Sequence, residues 1–116
     1  MNIDEWKTQL KRGTLEFCIL LIINQNDCYG YEMMSNLEKW SIIAAKESTI
    51  YPLLRRLLNE EYLTSYWQDA GEGLPPRKYY SITEKGREYL SLMAIEWAEL
   101  MNAVEHLKGV NEFNGQ

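Results

Sequence analysis

Two segments concentrate the side chains that can take hold of an anion. Between Arg77 and Arg87 stand Arg77, Lys78, Lys85 and Arg87 against the single acid Glu84. Lys46, Arg55 and Arg56 form a second group, close in sequence to the hydroxyls of Ser48, Thr49 and Tyr51. Guanidinium and ammonium groups bind phosphate oxygens, and hydroxyls add hydrogen bonds to phosphates or base edges. The whole chain carries a net charge of −5, which argues against a nucleic-acid partner only if charge is uniform. It is not. The cations cluster, while acids such as Glu96, Glu99, Glu105 and Glu112 outnumber the one Lys108 in residues 91–116. For a polyanionic partner the distribution matters more than the total.

Other chemistries find little to work with. There is one histidine, His106, and no Cys-x-x-Cys or paired-histidine spacing, so neither a metal nor a hydrolytic triad is expected. No Gly-x-Ser-x-Gly elbow occurs, and Gly71 and Gly73 lack the Gly-Lys-Ser/Thr of a phosphate loop. The chain reads as a non-enzyme without cofactors. Cys18 and Cys28 do not make a disulfide framework; Cys18 reads as a small buried hydrophobe and Cys28 as a turn residue. With 116 residues, 46% of them hydrophobic and 25% charged, the chain has the composition of one globular domain. Its longest apolar run, Phe17–Ile23, falls far short of the roughly 20 residues of a membrane span. The polar, acidic start Met-Asn-Ile-Asp-Glu-Trp is unlike a secretory signal, so a cytoplasmic protein is expected.

The elements that must position the cations follow from periodicity. Asp4 to about Gln25 reads as a helix apolar on more than one face, with Leu10, Phe17 and Leu21 near one stripe and Leu15, Ile19 and Ile22 on another. A second helix, about Tyr29–Trp40, sets Met33, Leu37 and Trp40 on one side. The third is capped by Ser48 or Thr49, and Ile50, Leu53, Leu54, Leu57 and Leu58 follow the helical period. Its opposite face carries Thr49, Arg55, Arg56 and Asn59, with Tyr51 at the border. Leu63–Trp67 and Lys78–Ile82 read as strands of a hairpin around the loop Asp69–Pro76. Thr83 caps a last helix, Glu84 to about Leu107, whose Leu90, Met93, Trp97, Leu100, Val104 and Leu107 alternate at spacings of three and four. That is a heptad seam suited to a partner helix. Residues 109–116 read as a flexible tail.

Three helices, a hairpin and a long helix are the order of a winged helix-turn-helix, an α+β and mostly helical fold. Residues 1–83 would form that domain and residues 84–108 a dimerisation helix. A major groove admits such a third helix. Its Ser/Thr/Tyr/Arg face would meet double-stranded DNA, Arg77 and Lys78 would meet phosphates from the wing, and a homodimer would read a palindrome. The alternative is a winged-helix interaction module that binds no DNA, which the acidic balance favours.

Four blocks carry a family resemblance: Gly13-Thr14-Leu15, Tyr29-Gly30-Tyr31-Glu32, Ser48-Thr49-Ile50-Tyr51-Pro52-Leu53-Leu54-Arg55-Arg56-Leu57, and Arg77-Lys78-Tyr79-Tyr80-Ser81-Ile82-Thr83-Glu84-Lys85-Gly86. Over about residues 8–90 the chain resembles the PadR family of bacterial transcriptional regulators, in the short form with one C-terminal helix. The resemblance implies a homodimeric repressor on a pseudo-palindromic operator, released by a small aromatic or drug-like effector. It places Ser48, Thr49 and Tyr51 at the start of the recognition helix, Tyr31 on a phosphate, and Arg77 and Lys78 as wing anchors. It also implies an effector role for Trp97, as a stacking surface at the dimer seam. Met93, Leu100 and Met101 would form a soft wall beside it, completed by Trp6, Leu10 and Phe17 of the first helix. Trp97 equally fits a plain packed position of the heptad, and the two roles are compatible in a loose seam. Two positions depart from the family pattern. Glu61 stands where glycine is common, and the wing tip Gly71-Glu72-Gly73-Leu74-Pro75-Pro76 lacks the usual basic residues.

Overall fold

The computed structural model describes residues 2–109. Seven elements follow in order: α1 (Ile3–Gln25), β1 (Cys28–Tyr29), α2 (Gly30–Leu37), α3 (Glu47–Asn59), β2 (Leu63–Gln68), β3 (Arg77–Ile82) and α4 (Glu84–Lys108). The expected tail lies, after Gly109, outside the described residues. This is the winged-helix architecture, α+β with a long C-terminal helix. The strands form one antiparallel sheet in the order β1-β3-β2, with Cys28 opposite Tyr80 and Trp67 opposite Lys78. No helix among the described residues is long and apolar enough to cross a membrane.

One core holds the elements together. Ile19, Leu20 and Ile23 of α1, Met33 and Leu37 of α2, and Ile50, Leu54 and Leu57 of α3 are almost wholly removed from water. Leu63, Tyr80 and Ile82 close the core from the sheet, and Leu90 closes it from α4. Each fully buried aliphatic side chain contributes roughly 1.5–3 kcal/mol by leaving water. One stripe of α1 faces the helix bundle; of the other, Phe17 turns toward Trp97 of α4, ring centroids 5.5 Å apart, while Leu10 and Leu21 stay exposed.

Four local expectations are corrected. Cys28 is not in a turn; it is 5% exposed in β1, against Tyr80, and burial pushes its thiol up to about 12. Cys18 is only half-buried at the edge of the core. The second helix stops at Leu37, the last residue that reaches the core, and Trp40 lies in the following turn, 56% exposed. The cap of α3 is Lys46, so Ser48 and Thr49 sit in the first turn, and among the described residues neither hydroxyl is spent on capping. Pro52 then falls in the second turn, where its missing N–H leaves the Ser48 carbonyl without the usual helical donor.

The ends of α3 and α4 meet at one junction. After Asn59 the chain closes with Tyr62 N–H donating to the Leu57 carbonyl and Glu61 N–H to the Leu58 carbonyl, both at 3.0 Å. This paired closure needs a left-handed residue between the helix and the next segment. Glu61 supplies it at φ 64°, and is the one non-glycine with positive φ among the described residues. The Thr83 hydroxyl donates to the Glu61 carbonyl at 2.7 Å and accepts from Gly86 N–H at 2.9 Å, so the cap of α4 is tied to the end of α3. Gly86 is required by contact: a Cβ there would run into the Tyr62 carbonyl and lie 2.8 Å from Ile82.

A left-handed conformation costs a side-chain-bearing residue roughly 1–2 kcal/mol, part of which glycine returns as unfolded-state entropy. Glu61→Gly is therefore expected to raise stability by about 1 kcal/mol, and Glu61→Val to lower it. Urea unfolding followed by circular dichroism checks this through the midpoint, with the slope unchanged.

Candidate nucleic-acid interface

The inner face of α3 is committed to the core, so its outer face is presented in one orientation. Tyr51 and Arg55 project there, one turn apart. The start of α2 comes up beside them. At Gly30 the two helices nearly touch: an added Cβ would lie 2.6–2.7 Å from ring atoms of Tyr51. Glycine is what lets the phenol lie across the helix start, and Tyr31, next in the chain, is left 65% exposed at the rim.

The wing supplies the other wall. The Arg77 guanidinium lies over the Tyr29 ring, 4.6 Å from its centroid, and Lys78 Nζ lies 5.7 Å from that of Tyr80. Behind Arg77 the rings continue as a row, Tyr29 edge-on to Tyr79 at 5.4 Å and Tyr79 stacked on Tyr66 at 5.7 Å. The Tyr66 hydroxyl donates to Asp27 Oδ2 at 2.7 Å, pinning the row to the turn before β1. Such contacts are worth about 0.5–1 kcal/mol each at exposed sites, and together they fix the direction of the two wing cations.

The result is a cleft of about 420 Å³ between α2, α3 and the wing. Five of the eight expected DNA-binding residues meet in it: Tyr31, Tyr51, Arg55, Arg77 and Lys78. Among the described residues no aspartate or glutamate lines it, in a chain whose acids outnumber its cations. Lys46 and Thr49 border a separate groove with Thr8, Lys11 and Glu38, and Ser48 is exposed but lines neither. Arg56 turns away altogether. It pairs with Glu16 of α1 at 2.9 Å and with Glu60 at 3.1 Å, which hold its guanidinium charged. The two adjacent arginines thus have different work: Arg55 faces outward and Arg56 ties α3 to α1.

Trp67 also lines the cleft and was missed by sequence reasoning, as was the part played by Gly30 and Tyr29. The alternation Leu63, Ser65, Trp67 on one face of β2 carried the signal, but only the pairing of β2 with β3 shows which way that face turns.

A second cleft, of about 520 Å³, opens between α1 and α4. Leu10, Phe17, Met93, Trp97 and Leu100 line it, whereas Trp6 and Met101 lie outside. Tyr89 borders it too, and its hydroxyl donates to Glu16 Oε1 at 3.3 Å, the same carboxylate that holds Arg56. Leu90, placed on the heptad seam, is 6% exposed and packs into the chain's own core, because α4 is pressed to the wing at Gly86 one turn earlier. Farther along, Met93 and Trp97 are half-buried, and Leu100, Val104 and Leu107 are 52%, 38% and 87% exposed.

Comparison with known proteins gives these surfaces a context. Residues 19–92 match the transcriptional regulator PadR-like family. A PadR-like transcriptional regulator of Bacillus cereus has a solved structure with 39% identity, covering 87% of this chain and 97% of its own, at TM-score 0.78. A PadR family regulator of Eggerthella lenta, 32% identical, covers 92% of both chains at TM-score 0.80. The negative transcriptional regulator PadR of Bacillus subtilis is 31% identical over 81 residues, 66% of this chain but 42% of its own length. The match takes in α2, α3, the wing and the start of α4, the elements that build the cation-lined cleft, and with them the chain belongs to the PadR-like family of transcriptional regulators.

Proposed function

We propose that the protein is a homodimeric repressor that binds a pseudo-palindromic operator in double-stranded DNA and is released by a small aromatic effector. The observation that carries the DNA-binding reading is the acid-free cleft with Arg55, Arg77 and Lys78 in a chain of net charge −5. Such a concentration of cations against the overall charge marks where a polyanion is met.

In this reading α3 enters the major groove. Ser48, Thr49 and Tyr51 lead, their side chains unspent on the fold or lying at its surface, and their hydroxyls reach base edges or backbone. Arg55, Arg77 and Lys78 take phosphates on either side of the groove, Tyr31 donates to one of them, and Lys46 meets another beyond the helix start. The phosphate contacts set position and the α3 start sets sequence. The name of the Bacillus subtilis relative supports repression. The exposed apolar length of α4 supports a second copy, with Leu100, Val104 and Leu107 on the seam and Met93 and Trp97 at its edge. An effector fits between α1 and α4, where Phe17 and Trp97 already offer ring faces and Leu10, Met93 and Leu100 an apolar surround. Met101 would join this wall only from the side of a partner helix. Release requires that the effector prefer a dimer geometry in which the two α3 helices no longer match successive grooves.

The deciding experiment is fluorescence anisotropy with the duplex upstream of the protein's own gene, against a scrambled duplex, across a range of salt. Tight, selective binding is expected. Weak and equal binding, repeated with duplexes selected from random sequence, would favour the interaction-module reading. Lys78→Ala is expected to weaken binding to every sequence and to flatten the salt slope by roughly one unit. Tyr51→Ala should weaken the selected duplex more than the scrambled one, and equal losses would remove its base-reading role. Titration with a flat aromatic ligand should quench tryptophan emission in the parent chain and fail to do so in Trp97→Phe.

A further inference from the structure

Trp67 is out of place for a residue of its type. It shares a face of β2 with Leu63, which is 2% exposed, and Ser65, and its cross-strand neighbour is Lys78. That is the face turned toward the helices. Yet Trp67 keeps 67% of its surface open. The strand runs past the end of the core, so the ring lines the cleft shared with Tyr51 and Arg55 and, among the described residues, stays largely uncovered.

The cover has to suit its neighbours. Arg55, Arg77 and Lys78 share the cleft and no carboxylate does. An apolar ring among cations matches a partner whose negative charges are separated by apolar faces. The sugar–phosphate backbone is such a partner, since each phosphate is flanked by the C–H faces of its deoxyriboses. The wing tip sharpens the point: Asp69 and Glu72 are its charged residues, with no cation between Gln68 and Arg77. A wing of this kind cannot hold DNA by charge at its tip.

We infer that Trp67 seats on a deoxyribose face of the strand whose phosphates are held by Lys78 and Arg55, and that it supplies the wing with affinity that does not depend on salt. The inference rests on the DNA-binding reading above. It makes Trp67 a positioning residue: the ring fixes how deeply the wing lies against the backbone, and so how α3 enters the groove.

Two measurements test it on the full chain. The first uses fluorotryptophan-labelled protein, whose four tryptophans give separate fluorine resonances; that of Trp67 is identified by its absence in Trp67→Phe. Adding a duplex selected from random sequence should shift this resonance. The second is anisotropy against the same duplex. Trp67→Ala should lose roughly tenfold in affinity, the lower end of what an aromatic side chain contributes when a base stacks on it, at an unchanged salt slope. Trp67→Phe should recover most of the loss. A parent chain that binds no duplex would overturn the DNA-binding reading and this inference together. A parent chain that binds while the Trp67 resonance stays fixed, or while Trp67→Ala binds at full strength or loses salt slope instead, would overturn this inference alone.

Discussion

The burial of one face of α3 is the constraint from which the rest follows. Ile50, Leu54 and Leu57 are wholly removed from water in the core that α3 shares with α2 and β2, and interiors are packed too closely for such a face to rotate cheaply. With the inner face held, the outer face has no freedom of direction. Tyr51 and Arg55 point where the leucines put them. The same helix is fastened at its side by Arg56 to Glu16 and at its end by the Glu61 closure. These ties are weak singly, since exposed ion pairs contribute roughly 0–1 kcal/mol. Their effect is on angle more than on stability.

The wing and α4 are not independent of that helix. Thr83 touches the Glu61 carbonyl and starts α4, while Tyr62 leads into β2 and stacks on Tyr89 of α4 at 4.3 Å. Tyr89 in turn reaches Glu16, the partner of Arg56. A closed circuit of contacts therefore joins the cleft between α1 and α4 to the helix that lines the cation cleft, through one carboxylate. These contacts give α4, α1 and α3 one shared polar junction beside the core that Leu90 also enters.

Much of this was legible in the chain because apolar period and charge placement agreed. The leucine pattern of α3, the strand compositions, the Thr83 cap and the heptad of α4 all placed their elements within a residue or two. What escaped depended on partners distant in sequence. Two residues are too few for a strand pattern, so β1 had no signature until Tyr79 and Tyr80 came to lie beside Cys28 and Tyr29. Trp40 fits a helical stripe in one dimension, but the core ends at Leu37. Arg55 and Arg56 are indistinguishable by type, and only Glu16, forty residues upstream, separates them. Trp67 reads as an ordinary strand aromatic until the register shows that it overhangs a cleft. The left-handed turn after α3, by contrast, was foreshadowed by the unusual residue occupying it.

The position of Cys28 has a practical meaning. Its thiol is buried where β1 leads into α2, and both burial and the nearby Glu32 and Asp27 keep it protonated. The thiolate is the nucleophile toward alkylating or oxidising reagents, so this sulfur is slow to react in the folded chain. With Cys18, the half-buried second thiol, replaced, the rate at which a thiol reagent labels Cys28 follows the local opening that uncovers it. A native atom thus reports on the breathing of the sheet at the point where the wing and the second helix are joined.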